Sequence, residues 1–325
     1  MKKTVHYGAD LDWVQPLAEE LEGRIDGNFI RVPEKIHTGS RYYLDCTGGI
    51  VALYLDVVYH NDITFIIKNK KTDFITLYYN LSEEDSELII NNNKNNVGIW
   101  AYNLSVLDST TTFQHNVKAG TKTFILFIFI KKETINSYIK EDITLQQRTM
   151  KILNPKKSPL IDWGRMSSHS QQAITELRKL KVGGTVFDLN LMGTVQLLIA
   201  NYLFKISDNE IITQLSDQPD LPIVIEIQKF LTHRLNGLFP GNETIARKYN
   251  ISGTKLKCLF KQITGQTANS FFMESKLFKA KEILEKKELS IEQISEQFNF
   301  SNQSHFTTRF KKQFRMTPKE YLQQL

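Results

Sequence analysis

The chain has 325 residues, 41% hydrophobic and 23% charged, with a formal net charge of +6; this is long enough for two domains with a core each, in an ordinary globular composition. Its longest apolar run, "FILFIFI" at residues 124–130, is far short of the ~20 residues that a membrane-spanning helix needs, and the basic amino terminus lacks the apolar stretch of a secretory signal. Two cysteines, Cys46 and Cys258, exclude a disulfide framework and a multi-cysteine zinc site, and the expected setting is cytoplasmic with no membrane partner.

Residues 28–130 read as strands. "IVALYLDVVY", "DITFII", "DFITLYY", "VGIWAYNLSV" and "TKTFILFIFI" are rich in Val, Ile, Phe and Tyr, and turn clusters such as "TGG" and "KAG" separate them. Many short strands at this spacing predict an antiparallel barrel or sandwich. The Asn-rich "NNNKNN" at residues 91–96 is expected to be a loop. Strand aromatics (Tyr42, Tyr54, Tyr59, Phe65, Tyr78, Trp100, Phe113) fit either a ligand pocket or ordinary packing.

After residue 130 the texture changes. "ETINSYI" predicts a short helix and "NPKKSPL" a proline-bearing break, followed by helical patterns at residues 167–181 and 189–206. In the second, Leu191, Val195, Leu198, Ile199, Tyr202 and Ile206 recur at helical spacing, a stripe suited first to a core and second to a dimer face. "SDQPDLP" marks the next boundary, so the expected domains are a β-rich region at 1–145, a helical linker and dimerisation region at 146–218, and a helical domain at 219–325.

No catalytic constellation is visible in the amino-terminal part. His37, His60 and His115 stand apart, without the His-x-His of a metal-binding strand pair. Ser168 and His169 lack an orienting third group, and "KVGGT" lacks the spacing of a phosphate loop. Neither metal nor cofactor is expected, and the chain is expected not to be an enzyme.

From residue 221 onward the charge balance shifts. Residues 221–325 carry 17 Lys and Arg against 9 Asp and Glu, whereas residues 1–220 carry 24 against 26. A basic module beside a near-neutral one points to a polyanion, most plausibly nucleic acid. A short helix, a tight turn and a striped helix occur twice there, in "IARKYNISGTKLKCLFKQITGQT" and "ISEQFNFSNQSHFTTRFKKQFRMTPKEY". Leu256, Leu259, Phe260 and Ile263 form one apolar stripe, and Phe306, Phe310 and Phe314 the other. Phe260 aligns with Phe310 at an offset of fifty but Ile245 with Ile294 at forty-nine, which puts one additional residue in the second turn. Ser290 with Gln293, and Thr317 with Glu320, have capping-box spacing, while Asn242, Ser252 and Asn302 are N-cap candidates. "ANSFFMESKLFKAKEILEKKE" predicts one longer connector, about 27 Å if ~18 of its residues are helical, of the order of the ~34 Å between successive major-groove windows.

These residues resemble the DNA-binding domain of the AraC/XylS family of bacterial transcription regulators, over residues 221–325. The chain departs from the family pattern at Asn299, where Gly is usual and a left-handed turn is needed, and at Arg315, also a usual Gly. The resemblance implies an α+β multidomain protein: an amino-terminal cupin-like antiparallel β-barrel with a helical pair, and an all-α double helix-turn-helix. It implies a homodimer on double-stranded promoter DNA, a small-molecule effector and, for an activator, RNA polymerase as a partner. With the stripes buried, the exposed Thr254, Lys255, Lys257 and Cys258, and Gln303, Ser304, His305, Thr307 and Thr308, are the expected base contacts. Ser252, Lys261, Asn302, Arg309, Lys311 and Lys312 are the expected phosphate contacts. The alternative is a cupin-type binding or structural protein whose basic module holds nucleic acid without sequence preference.

Overall fold

The computed structural model describes all residues other than 83–85, 91–92, 100–102, 153–159, 165, 208–220, 265, 315 and 324–325, and the chain divides into two units, Met1–Asp217 and Gln218–Leu325. In the first, the chain runs through β1 (Lys2–Val5), α1 (Val14–Glu20), β2 (Arg24–Asp26), β3 (Phe29–Arg31), β4 (His37–Asp45), β5 (Ile50–Tyr59) and β6 (Ile63–Ile67). There follow β7 (Phe74–Asn80), β8 (Ser86–Ile90), β9 (Asn93–Val97), β10 (Leu104–Asp108), β11 (Phe113–Val117) and β12 (Lys122–Lys131). The unit closes with α2 (Lys132–Ile139), α3 (Ile143–Ile152), β13 (Leu160–Gly164), α4 (Ser168–Arg178) and α5 (Thr185–Ser207).

The strands form two open sheets, ordered β1-β6-β11-β8-β9 and β13-β10-β7-β12-β5-β4-β3-β2. The expected ring closure is absent from the ladders among the described residues, and one pair is not antiparallel: β1 lies parallel to β6. The long stretch of chain between those two strands leaves their relative direction free of hairpin geometry. Successive side chains of a strand point to opposite faces, and the long strands of the larger sheet use both. Tyr59 of β5 and Tyr78 of β7 meet Phe65 of β6 and His115 of β11 in the smaller sheet, at 5.9 and 6.1 Å. On the other face, Tyr54, Leu77, Leu126 and Ile128 share a buried cluster with Phe187, Leu191, Val195 and Leu198 of α5. Central strands covered twice read as near-continuous apolar runs, which explains "IVALYLDVVY" and "FILFIFI".

Polar ties seat the helices. Arg178 of α4 donates to both carboxylate oxygens of Asp56 at 2.8 and 2.9 Å, and the Tyr42 hydroxyl donates to Asp188 of α5 at 2.6 Å. Between α4 and α5 the chain turns at Gly183, with φ +89°; a β-carbon there would sit 2.9 Å from the Phe29 ring. In "KVGG", Gly183 therefore serves both the turn and close packing, while Gly184, at φ +85° with open space around it, serves the turn alone. The α5 stripe predicted at Leu191, Val195, Leu198, Ile199, Tyr202 and Ile206 is buried throughout. Helix α5 is long and apolar enough to cross a membrane by length and composition, which the longest apolar run alone did not reveal, yet this face packs on the sheet.

Residues 93–96 of the Asn-rich run are strand and not loop, while residues 91 and 92 lie outside the described residues. Asn93 to Val97 pair with β8, Asn93 opposite Ile90 and Val97 opposite Ser86. At the sheet edge Lys94 reaches Glu87 at 3.3 Å, so pairing with the preceding strand overrides the low strand propensity of Asn. The aromatics also divide by face. Tyr42 and Tyr54 pack on Phe187 of α5, Tyr59, Phe65 and Tyr78 lie between the sheets, and Trp100 falls outside the described residues.

In the second unit α6 (Leu221–Thr232), α7 (Asn242–Lys248), α8 (Gly253–Thr264), α9 (Ala268–Glu285), α10 (Ile291–Gln297), α11 (Gln303–Phe314) and α12 (Pro318–Gln323) follow one another. Helix α9 packs against α6 and α8 on one side of the repeat and α10, α11 and α12 on the other. It buries Phe271, Phe272, Leu277, Ala280 and Leu284, which leaves it little amphipathic contrast.

Candidate nucleic-acid interface

Helices α7 and α8 form one helix-turn-helix, and α10 and α11 the other. Each turn depends on an asparagine in the left-handed region, Asn250 at φ 53° and Asn299 at φ 52°, where Asn is the least strained residue after Gly. Main-chain bonds close both helix ends in the same way: the Ile251 amide donates to the Ala246 carbonyl, and the Phe300 amide to the Ser295 carbonyl, each at 3.0 Å. Ala246 and Ser295 are buried, small enough to let the turns close. Asn250 was not singled out from sequence, although "YNIS" and "FNFS" carry the signal: aromatic, Asn, apolar, Ser. The turns span residues 249–252 and 298–302, so the additional residue falls in the second turn. Arg315 lies outside the described residues.

Caps fix where the two striped helices begin. Ser252 Oγ accepts from the Lys255 amide at 3.1 Å and Asn302 Oδ1 from the His305 amide at 2.8 Å. These two side chains, expected beside phosphates, thus hold their own helices. Ser290 and Gln293 complete a capping box, as do Thr317 and Glu320: the Thr317 amide donates to the Glu320 carboxylate at 2.7 Å and the Glu320 amide to Thr317 Oγ at 3.2 Å; the bond from the Thr317 amide is the main cause that holds the Glu320 carboxyl below the usual range. Asn242 is not an N-cap. It is the first residue of α7, behind Gly241 at φ 84° with no side-chain cap, because glycine makes the sharp entry itself.

The stripes are buried as their spacing requires. Leu256, Leu259 and Phe260 of α8, and Phe306, Phe310 and Phe314 of α11, lie in the interior. The Ile263 side chain falls outside the described residues. The opposite faces carry the sequence candidates. Thr254, Lys255, Lys257, Cys258 and Lys261 are exposed on α8, as are Gln303, Ser304, Thr308, Arg309, Lys311 and Lys312 on α11, while His305 and Thr307 are half-buried. The structure therefore gathers the candidates of each helix on one accessible face.

Two residues on the α11 face are already engaged. His305 Nδ1 lies 3.1 Å from Ser301 Oγ, and its Nε2 accepts from Arg309 Nε at 3.3 Å, so His305 holds Arg309 across one turn. The Thr308 hydroxyl donates to the Ser304 carbonyl at 2.9 Å, which leaves its methyl group outward. Lys276 of α9 is a tie that sequence did not suggest. Its ammonium donates at 2.7 Å to the Phe298 carbonyl at the end of α10 and at 2.7 Å to the Gly237 carbonyl before α7. Burial lowers it to about 8, against which those carbonyls and the rings of Phe272 and Phe300, at 4.9 and 5.3 Å, hold the proton.

Residues 245–324 match a family model described as a helix-turn-helix domain. Among similar proteins, a probable transcription factor PqrA of Proteus vulgaris is 35% identical over 79 residues, 24% of this chain and 65% of that protein. The HTH-type transcriptional regulator AlkR of Acinetobacter baylyi is 32% identical over 82 residues, 25% of this chain and 27% of that protein. The chain thus spans less than two thirds of either relative. A solved transcriptional regulator from Chromobacterium violaceum, described as AraC-type, is 27% identical, with coverage of 32% of this chain and 91% of that one and a TM-score of 0.30. With the doubled helix-turn-helix and its motifs in place, residues 245–324 form a helix-turn-helix domain, similar over that stretch to those of bacterial transcription regulators.

Proposed function

We propose that this chain is a sequence-specific DNA-binding transcription regulator whose amino-terminal unit senses an effector and pairs two copies. One observation carries the reading: two capped helices on either side of α9 each present polar and basic side chains opposite a buried stripe. At 18 residues, α9 is about 27 Å long, a suitable spacer for adjacent groove segments of one duplex. Lys257 suits guanine, Gln303 adenine and the outward methyl of Thr308 thymine; Lys261, Lys311 and Lys312 suit phosphates.

In this reading residues 1–145 are a cupin-like sensory domain, 146–218 a dimerisation region and 219–325 the DNA-binding domain, in a cytoplasmic protein that catalyses no reaction. Promoter DNA is the partner, joined by RNA polymerase if the protein activates. Support for a second copy comes from the outward face of α5, where Val186, Leu189, Leu197 and Phe204 are exposed at helical spacing around Gly193, which has nothing near it.

Selection of the full chain against random duplex DNA tests the reading. A motif should be enriched, with affinity falling steeply as salt rises. Lys257→Ala should change the preferred base and cost about 1–3 kcal/mol at the chosen site, whereas Lys311→Ala should weaken all sequences alike. Salt-dependent binding without an enriched motif would leave only a non-specific basic module.

A further inference from the structure

Arg41 on β4 is 1% exposed, and it faces the smaller sheet, with the Phe65 ring 5.9 Å away. Its Nη2 donates to the Tyr59 hydroxyl at 2.9 Å and its Nε to His37 Nε2 at 3.5 Å. These partners, and the Tyr7 hydroxyl that it also hydrogen-bonds, are neutral groups, and no carboxylate among the described residues pairs with it. Two other cations that pack on the sheets are matched: Arg178 has Asp56, and Lys132 has the buried Asp108 at 2.8 Å.

A guanidinium has five N–H donors and cannot shed its proton. Taking it out of water with no counter-charge is a standing cost to the fold, and such costs are retained where function uses them. His37 adds a second deficit of the same kind. It is 3% exposed and its Nδ1 makes no hydrogen bond. Burial, and then the charge of Arg41, push the ring down to about 3, so it is neutral near pH 7. Accepting from Arg41 at Nε2 places its one proton on Nδ1. His37 Nδ1 is therefore a donor short of an acceptor, and Arg41 is a buried cation whose partners are all neutral. Beside them, Tyr7 stacks on Phe127 and Phe129 at 5.5 and 5.3 Å, and Tyr59 meets Phe65 edge-on at 5.9 Å. The surroundings are thus apolar apart from hydroxyl and imidazole groups.

We propose that an organic carboxylate binds between the two sheets, with its oxygens on Arg41 and its apolar remainder against Tyr7, Tyr59 and Phe65. This rests on the reading of the amino-terminal unit as the effector-binding part, and it names the class of effector. A carboxylate matches the planar guanidinium fork with two parallel bonds and supplies the missing counter-charge.

The test uses the full chain. All three tryptophans, Trp13, Trp100 and Trp163, lie within residues 1–217, so their fluorescence reports unfolding of this unit alone. Sodium butyrate, compared with sodium chloride at equal ionic strength, should raise the midpoint saturably by about 2–4 °C. Neutral butyramide should not. Arg41→Met should lose the butyrate response and melt no lower than the wild type in chloride, because it removes an uncompensated buried charge. Arg41→Lys, which keeps the charge but loses the fork, should raise the half-saturating concentration about tenfold. Should Arg41→Met fail to fold, the salt–amide contrast and the lysine variant decide. No shift with butyrate, an equal shift with butyramide, or a response that survives in either variant unchanged would overturn the site. DNA selection without added anion is scored separately: a chain that enriches a motif yet ignores butyrate keeps the regulator reading and loses the anion site, and the reverse pattern does the opposite.

Discussion

His115 sits between the sheets, its Nε2 2.9 Å from Ser86 Oγ and its ring 6.1 Å from that of Tyr78. Burial pushes it down to about 4, against an ordinary value of 6.5. Because the folded value lies below the unfolded one, the unfolded chain takes up the proton first as pH falls. Its contribution to stability is fully present above pH 6.5 and is lost as pH drops from there through 4. Between pH 7 and pH 5 this amounts to about 2 kcal/mol, and His37, lowered to about 3, acts in the same direction. Replacing His115 by Gln should flatten the acid limb of a tryptophan-monitored stability curve by about that amount. An unchanged slope would mean that His115 is reached by water in the native state.

At the scale of single elements, α11 holds the second helix-turn-helix together. The Phe310 ring lies 4.5 Å from Phe314, 5.6 Å from Phe306 and 6.0 Å from Tyr321 of α12, in the cluster that also holds Leu277, Ala280 and Leu284 of α9. Removing the ring leaves a cavity that this short helix cannot collapse to fill. Phe310→Ala should cost about 3–5 kcal/mol in the carboxy-terminal unit and abolish motif-specific binding, as read by denaturant unfolding alongside a binding titration. A variant that melts normally would mean that the buried and exposed faces of α11 are assigned the wrong way round. The His305–Arg309 bond adds a refinement on the same helix. His305→Ala removes a side chain that holds Arg309, so its effect on base preference combines loss of one group with release of another.

For the whole molecule, the reading turns on two copies acting together. Val186, Leu189 and Phe204 on α5 are 69%, 62% and 64% exposed, a row of large apolar side chains on the face turned away from the sheet. Pairing through this row would raise the effective concentration of the second DNA-binding unit at an operator. The full chain should therefore sediment as a dimer at tens of micromolar (about the range in which modest interfaces associate), and Phe204→Glu should shift it to monomer without lowering the tryptophan-reported midpoint. A wild-type monomer would remove the dimer claim. An effector between the sheets could then alter DNA affinity only through its differential binding to competent and incompetent states.

The helical repeat was legible in the sequence because its signals are local. The Phe stripe of α11, the Ser290–Gln293 and Thr317–Glu320 boxes, and the 18-residue α9 are each set by side chains within a few turns of one another. Spacing alone therefore predicts which face of α8 or α11 is buried. Other features depend on pairing that local propensity does not encode. Asn93 to Val97 became a strand because the preceding β8 offered an edge to pair with. Tyr42 and Tyr59, both strand tyrosines, parted to opposite faces of the larger sheet, and no period-2 pattern says which face meets α5 and which meets the smaller sheet. Burial of Arg41 is the strongest case. In sequence it is one arginine among ordinary strand residues; only the stacking of two sheets takes it out of water without bringing a carboxylate to it, since the pairing of distant strands, and not local propensity, decides what a buried charge faces.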